Sequence, residues 1–218
     1  MKRQTIAIRC TCGTLQGVLR DVRPSSGNHA VCYCRDCQSF AHFLGRAPEI
    51  LDDHGGSDIF QTSPGKIAFT QGLAQIACMR LTEKGMLRWY AACCKTPIGN
   101  TLARTGVPFV GLVGTCLVAP DRTPAGLAAA LGPIAIRGFR QFAQGDRASI
   151  PRDRVPLAIA IARFVSLLAF WKLRGDARRS PFIEAATRQP VVVPRVLTRN
   201  ERAQLREQLQ NPASPVPS

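Results

Sequence analysis

The residues of this 218-residue chain best suited to chemistry are its cysteines, and their spacing indicates metal binding. Seven of the nine fall into three tight groups: Cys10 and Cys12; Cys32, Cys34 and Cys37; and the adjacent pair Cys93 and Cys94. Zn²⁺ prefers four tetrahedral ligands, and thiolates spaced this closely can surround it. The middle group can supply three ligands from one loop and leave a fourth position for water or substrate. The first and last pairs, distant in sequence, can complete a four-thiolate site that clamps a small β domain.

Two other uses of clustered cysteines compete with metal binding. One is a set of reduced core thiols, which would bring seven cysteines together by chance. The other is redox sensing through a thiol–disulfide pair. An odd total fits a complete disulfide framework poorly, and clustered thiols in a reducing compartment indicate metal binding or catalysis. Cys78 and Cys116 stand alone in apolar stretches, so we expect both to be small buried hydrophobic residues.

The elements that must position these groups are predicted to be short strands in the first part of the chain. β-favouring stretches alternate with Gly- and Pro-rich turns, which is typical of an antiparallel β domain. The predicted strands cover residues 5–9, 14–20, 58–62, 66–70, 75–81 and 86–92, with a strand or strand pair over 107–118. We expect a hairpin tip at residues 10–13 and a short helix over 35–44. The predicted fold class is mainly β, with residues 1–120 forming the zinc-binding domain.

Residues 121–218 are predicted to be an appended, largely helical extension. The predicted helices cover residues 126–131, 155–173 and 203–209. Thr123 is expected to cap the first, and Thr198 with Glu201 matches a capping box before the last. The middle helix is apolar on nearly all sides, so we expect it to be packed on several sides. The tail over 211–218 is rich in Pro and Ser and is predicted to be frayed.

The charge balance is strongly basic, with 29 Lys and Arg against 14 Asp and Glu and a net charge of +15. Nucleic acid or an acidic membrane surface is therefore a candidate partner. A phosphate-facing patch would consist of Arg137, Arg140, Arg147, Arg152 and Arg154. No stacking aromatic residues interleave with these arginines, and the chain has no helix-turn-helix or zinc-finger spacing, so a solvated surface is favoured. Of the basic residues 24 are Arg, which genome composition alone can also produce.

The apolar stretches are too short to cross a membrane. The longest cover residues 107–120 and 157–171, below the roughly 18–20 residues that a spanning helix needs. The N-terminus lacks the apolar stretch of a signal peptide, so we expect a cytoplasmic protein. The basic-flanked helix over 155–173 could lie on a membrane surface instead. Because it lacks a polar face, burial in the protein or at an oligomer contact is favoured.

The cysteine pattern resembles that of the glutathione-dependent formaldehyde-activating enzymes, a family that also contains centromere protein V. The matching segments are Arg9-Cys-Thr-Cys-Gly13, Cys32-Tyr-Cys-Arg-Asp-Cys37 and Cys94-Lys-Thr-Pro97, within roughly residues 5–103. The resemblance implies the Mss4-like fold, a scaffold of small β-sheets held by zinc. Three positions depart from the family pattern: Tyr33 replaces a His, Ala91 replaces a Cys, and Lys95 replaces a Gly.

The resemblance also implies two zinc ions per chain. One would be structural and bound by the first cysteine pair and the late cysteines. The other would be bound by the middle group and open toward a thiol substrate. Cys94 matches the late motif, whereas Cys93 lies two positions from the expected cysteine. Cys93 is therefore a candidate fourth ligand, and the alternatives are a structural site with three protein ligands or a site without metal.

The resemblance implies a zinc-dependent carbon–sulfur lyase-type enzyme that acts on a small thiol adduct such as S-(hydroxymethyl)glutathione, and the chemistry of the middle cysteine group is compatible with that reaction. Three thiolates around Zn²⁺ leave a net negative charge, which suits the binding of a further thiolate. The candidate proton donors are Tyr33, Asp36 and His42. Arg35 is expected to offset the charge of the site, and the candidates for binding glutathione carboxylates are Arg46, Arg80 and Arg88. The alternative is a non-catalytic, zinc-stapled module that binds nucleic acid or a protein partner.

Overall fold

Ten of the strands lie in the first part of the protein, and the two longest helices lie in the last part. The computed structural model describes residues 3–103 and 106–210. Within these residues the chain forms twelve strands: β1 (Gln4–Arg9), β2 (Gln16–Val22), β3 (Asn28–Cys32), β4 (Ser57–Thr62), β5 (Ile67–Gln71), β6 (Ile76–Arg80), β7 (Leu87–Ala91), β8 (Pro97–Thr101), β9 (Val110–Val113), β10 (Leu117–Val118), β11 (Ile136–Gly138) and β12 (Arg195–Val196). The same described residues contain five α-helices: α1 (Arg35–Phe43), α2 (Ala47–Ile50), α3 (Pro124–Leu131), α4 (Leu157–Leu173) and α5 (Arg199–Gln210). The mainly β fold with a helical C-terminal region is confirmed, whereas the tail over 211–218 lies outside the described residues.

The strands form two sheets. The small sheet has the order β10-β1-β2-β5, and the large sheet has the order β11-β3-β4-β9-β8-β7-β6-β12. Neighbouring strands are antiparallel except at the edges of the large sheet, where β11 pairs with β3 and β12 with β6 in parallel. Both of these edge strands come from the C-terminal region. The boundary near residue 120 stays a prediction, but the two parts of the chain share one sheet.

Successive side chains along the strands of the large sheet point to opposite faces, and an apolar core lies on each face. Trp89 of β7 is fully buried in the core between the sheets, together with Ile6 of β1. Its neighbour Tyr90 points to the other face and packs edge-on against Phe40 of α1, with ring centroids 6.5 Å apart. Leu205 of α5 joins this second core. The large sheet is therefore covered on both faces.

The predicted helix starts in the C-terminal region are confirmed. The Thr123 hydroxyl accepts a hydrogen bond from the Gly126 amide at 2.9 Å, and α3 begins at the next residue, Pro124. At the start of α5, the Thr198 amide donates to the Glu201 carboxylate at 2.8 Å. The Glu201 amide donates in return to the Thr198 hydroxyl at 3.3 Å, which completes a capping box.

Helix α4 has the predicted position, but the expectation that it is packed on several sides is wrong. Only Ala160 and Trp171 of this helix are buried. Several of its large apolar side chains are exposed: Leu157, Ile159, Ile161, Val165, Phe170 and Leu173. The helix instead contacts the body along a narrow strip, where Arg163 donates to the carbonyls of Pro24 and Gly27. In the described parts of the chain, no helix combines the length and apolar character needed to cross a bilayer.

Candidate metal centres

Four cysteine sulfurs converge where the small sheet meets the large one: Cys10, Cys12, Cys93 and Cys94. We call this group the clamp site. All four Sγ atoms lie within 4.8 Å of one another, and Cys12 is 3.5 Å from Cys10 and 3.4 Å from Cys93. A tetrahedral zinc with bonds of about 2.3 Å would hold its sulfurs about 3.8 Å apart. The observed spacing therefore fits a single tetrahedral metal ion.

Two turns bring these sulfurs together. At the tip of the β1–β2 hairpin, the Cys10 amide donates to the Leu15 carbonyl at 3.1 Å, and Gly13 adopts a left-handed φ of +77°. After β7, the Lys95 amide donates to the Ala91 carbonyl at 2.8 Å. Lys95 also has a left-handed φ of +57°, so the chain reverses directly after the cysteine pair. Both adjacent cysteines consequently face the hairpin tip, and the site offers four sulfurs rather than three.

A network of hydrogen bonds holds the two turns of the clamp site together. The Thr11 amide donates to the Thr96 hydroxyl at 3.0 Å, and the Arg46 guanidinium donates to the Cys94 carbonyl at 2.8 Å. Burial alone would raise the pKa of Cys94, but hydrogen bonds with Thr11 and Thr96 outweigh it and lower the pKa to about 5. The network thus favours the thiolate, which is the metal-binding form. Arg46 was predicted to bind a substrate carboxylate, and the structure places it here instead.

The second group, which we call the open site, consists of Cys32, Cys34 and Cys37. Cys32 ends β3, Cys34 caps the N-terminus of α1, and Cys37 lies in the first turn of that helix. The three Sγ atoms lie within 4.8 Å of one another. Among the described residues, no fourth Cys, His, Asp or Glu joins this group. The open site can therefore hold a metal ion with one coordination position left free.

A buried arginine lies beside the open site. Arg88 of β7 is only 2% exposed and donates to the Asn100 side-chain oxygen at 3.0 Å and to the Cys37 sulfur at 3.9 Å. The pKa of Cys37 is held well below its ordinary value, first by hydrogen bonds from Cys32 and Cys34 and then by the positive charge of Arg88. The arginine therefore helps to stabilise negative charge on the sulfurs.

The open site borders a cavity of about 540 Å³, hereafter the cavity. Its floor is formed by four residues that lie side by side on neighbouring strands: Arg88 of β7, Asn100 of β8, Gly111 of β9 and Gln61 of β4. Its walls are mainly apolar and include Ala30, Ile59, Met86, Phe109, Phe139 and Phe142. Asn100 and these aromatic residues were not identified from the sequence. No local motif marks them, because they come together only through strand register and loop packing.

The three candidate proton donors have different surroundings. Asp36 lines the cavity and its carboxylate lies 3.6 Å from Arg88. Tyr33 is buried and does not line the cavity; its hydroxyl donates to Asp52 at 3.2 Å, and burial raises its pKa to about 12. His42 lies in the last turn of α1, and partial burial lowers its pKa. Of the three, the structure brings Asp36 alone to the cavity.

The remaining predicted cations also differ in position. Arg35 lines the cavity, and its guanidinium stacks 4.9 Å from the centre of the Phe142 ring. Arg80 donates to the Gly85 carbonyl at 3.1 Å and lies outside the cavity lining. The isolated cysteines Cys78 and Cys116 are buried in the core between the sheets, as predicted.

Comparison with known proteins gives a family. A family profile described as a family of unknown function (DUF6151) matches residues 2–192. The chain belongs to this family. The match to DUF6151 spans both cysteine sites and the cavity and ends before α5.

Other comparisons give little more. A search of the curated proteins found no match. The chain is similar to a Rhodobacter sphaeroides protein whose crystal structure was solved as a structural genomics target, at 13% identity with a TM-score of 0.39. That similarity covers 60% of this DUF6151 chain and 98% of the other chain.

Proposed function

We propose that the protein binds two zinc ions per chain and uses the second in a carbon–sulfur lyase-type reaction on a small thiol adduct. The observation that carries this proposal is the open site, where three cysteine sulfurs adjoin the cavity without a fourth protein ligand among the described residues. Structural zinc sites are closed by four protein ligands, whereas catalytic sites keep one position for water or substrate. The clamp site has the first character and the open site the second.

The donor sets support zinc as the metal. Soft thiolate ligands select zinc or iron–sulfur clusters over hard cations such as magnesium. The sulfur spacing of the clamp site fits one tetrahedral ion. At the open site, zinc would hold the sulfur of a substrate beside the three cysteines and favour its thiolate form.

The side chains around the open site have definite places in such a reaction. The carbon–sulfur bond of a hydroxymethyl adduct breaks with its electron pair on sulfur, while the hydroxyl loses its proton and becomes a carbonyl. Arg88, 3.9 Å from the Cys37 sulfur, would stabilise negative charge on the departing sulfur. Asp36, whose carboxylate lines the cavity, would take the hydroxyl proton. Addition of a thiol to an aldehyde would use the same groups in reverse order.

The cysteine motifs support the thiol substrate class and a relationship to the formaldehyde-activating enzymes. The Mss4-like scaffold belongs to this proposal, since two sheets joined by a metal at the clamp site are what that scaffold requires. Unpaired cysteines in both sites suit a reducing compartment such as the cytoplasm.

The alternative, a binding module for nucleic acid, has weaker support from the basic residues. Three of the five arginines of the suggested patch donate to backbone carbonyls. Arg137 binds the Arg152 carbonyl, Arg140 binds that of Ile150, and Arg147 binds that of Ala143. These side chains stabilise the loops after α3, which leaves fewer of their donors for phosphates.

Metal analysis and an activity assay test the proposal together. Protein purified without chelator should contain two zinc ions per chain, one for each cysteine site. Cys34→Ser should keep the clamp-site zinc and lose the ability to release aldehyde from hydroxymethyl thiol adducts. Cys78→Ala, which changes a lone core cysteine, is the matched control and should keep both ions. A wild-type protein with full zinc and no activity toward any thiol adduct would favour the non-catalytic alternative.

A further inference from the structure

The cavity beside the open site indicates which thiol the protein takes. We propose that its substrate is a thiol, or thiol adduct, with an apolar body, rather than a peptide thiol with several charges. This inference rests on the proposed function, because it assumes that a thiol binds at the open site. Three features of the cavity favour such a thiol: its apolar walls, its few available charges, and the conformation of Phe139.

The walls favour an apolar ligand. Three phenylalanines, Phe109, Phe139 and Phe142, line the cavity together with Met86 and Ile59. Gly111 in the floor has no side chain, and a Cβ there would lie 2.9 Å from Ile59. The floor therefore stays open between the apolar walls, and a hydrocarbon or aromatic group placed there would remove these surfaces from water.

The charges disfavour a polyanionic ligand. Glutathione carries two carboxylates and an ammonium group, each of which needs a partner when it is taken out of water. Arg88 already donates to Asn100 and Cys37 and lies 3.6 Å from Asp36. Arg35 is exposed and stacked on Phe142. The cavity thus offers two cations to a ligand: Arg88 in the floor, which already has partners, and Arg35 at the solvent-exposed edge.

Phe139 gives a further observation that points to an apolar ligand. Its φ is +62°, in the left-handed region that bulky side chains rarely adopt, and its side chain is 55% exposed. The fold therefore holds an aromatic ring at the cavity in a costly conformation without burying it. A ligand with an apolar body would cover this ring.

Cobalt(II) provides the test, because its thiolate absorption bands change when a further sulfur binds. The cobalt-loaded protein is titrated with phenylethanethiol, mercaptoethanol and glutathione. We expect half-saturation by phenylethanethiol at a concentration about tenfold lower than by glutathione. Phe139→Ala should weaken the binding of phenylethanethiol severalfold. The same variant should leave the binding of mercaptoethanol, which has no apolar body, unchanged. Phe170→Ala, on the exposed face of α4, is the matched control and should alter the binding of neither thiol.

The outcomes separate this inference from the proposed function. Glutathione binding as tightly as phenylethanethiol, or tighter, overturns the inference and leaves the proposed function standing. The inference is also overturned if Phe139→Ala weakens the binding of phenylethanethiol and of mercaptoethanol equally. If cobalt binds but no thiol changes its spectrum, the proposed function fails as well. Should Phe139→Ala misfold, Phe142→Ala makes the same comparison at a second aromatic residue of the cavity lining.

A second inference rests on α4 and is independent of the metal sites. We propose that the exposed face of α4 lies flat on an anionic lipid surface. Ile161, Val165 and Lys172 follow one another at helical spacing, and the two apolar side chains are 52% and 57% exposed. The helix of 17 residues would span about 25 Å along such a surface.

The charges around α4 select lipid over a second copy of the chain. The helix contains no acidic residue, and exposed basic residues stand at both ends: Arg152 and Arg154 before it, and Lys172 and Arg174 at its end. The nearest acids are engaged, because Asp153 accepts from the Arg137 amide and Asp176 is buried and paired with Arg179. Two α4 helices packed together would bring basic ends against basic ends, whereas lipid phosphates would neutralise them.

Vesicle flotation tests this second inference with the full chain. We expect binding to phosphatidylcholine vesicles that contain phosphatidylglycerol, little binding to phosphatidylcholine alone, and weaker binding at high salt. The double variant Ile161→Ser, Val165→Ser should reduce binding about tenfold. Val193→Ser, which changes a 92% exposed side chain outside α4, is the control and should bind normally. A wild-type dimer in light scattering that the double variant dissociates, or equal binding to neutral vesicles, overturns the inference.

Discussion

The Arg88 guanidinium lies 3.9 Å from the Cys37 sulfur, on the face of the large sheet that points away from the small sheet. An arginine that is 2% exposed needs partners for its charge, and Cys37, Asn100 and Asp36 supply them. The same contact puts a fixed positive charge next to thiolates that a metal would bind. The arginine therefore links the packing of the sheet to the chemistry of the open site.

Replacing this arginine should weaken the open site selectively. Arg88→Met keeps most of the side-chain volume but removes the charge, and we expect zinc affinity of the open site to fall about tenfold. Loss of the buried hydrogen bond to Asn100 should also destabilise the fold by about 1–3 kcal/mol. Competition with a chromophoric chelator and urea unfolding measure the two effects. Arg80→Met, which lies outside the cavity lining, should change zinc affinity little; an equal loss in both variants would contradict the assignment.

Removal of metal from the clamp site should loosen the contact between the two sheets. Cys12 is exposed, so Cys12→Ser removes a ligand without disturbing the core. We expect a loss of several kcal/mol of unfolding free energy when zinc is present. With chelator in excess, wild type and variant should unfold at the same denaturant concentration. A difference that persists with chelator would show that Cys12 stabilises the fold without metal.

Phe182 should couple the C-terminal region to the β core. Its ring is fully buried and lies 4.9 Å from that of Trp89, centroid to centroid. Phe182→Ala should destabilise the protein by about 3–5 kcal/mol. Phe170→Ala, an exposed aromatic on α4, should cost less than about 0.5 kcal/mol. Denaturant unfolding monitored by tryptophan fluorescence distinguishes the two, and equal small effects would mean that the region folds separately.

His29 should make stability depend on pH. Burial tends to lower its pKa, but the hydrogen bond to Asp58 at 2.8 Å, the negative charge of Asp58 and the hydrogen bond to the Gly132 carbonyl together outweigh burial, and the net shift is upward. Because the folded pKa is above the unfolded one, the extra stability is complete below the unfolded value and is lost as pH rises through the folded value. Asp58→Asn should remove this dependence, whereas Asp21→Asn, at a surface pair, should not. Urea midpoints at mildly acidic and mildly alkaline pH provide the measurement; an unchanged profile in Asp58→Asn would refute the assignment.

Much of the local structure could be predicted because its causes are local. The capping box at Thr198 and Glu201 depends on residues three apart, and the hairpin at Cys10 depends on a short turn between β-favouring strands. The grouping of Cys32, Cys34 and Cys37 follows from their nearness in sequence, so three convergent sulfurs were expected from spacing alone.

What tertiary structure decided depends on residues far apart in the chain. Cys93 meets Cys12 across 81 positions only because the β7–β8 turn lies against the first hairpin tip. Arg88 and Asn100 share the cavity floor through strand register, which composition does not specify. The apolar pattern of α4 predicted a buried helix, yet most of its large apolar side chains are exposed. A helix is buried only where the rest of the fold offers a surface to pack against, and the sequence of the helix does not specify that surface. Local sequence thus set the elements and the donor groups, and long-range packing set which of them meet.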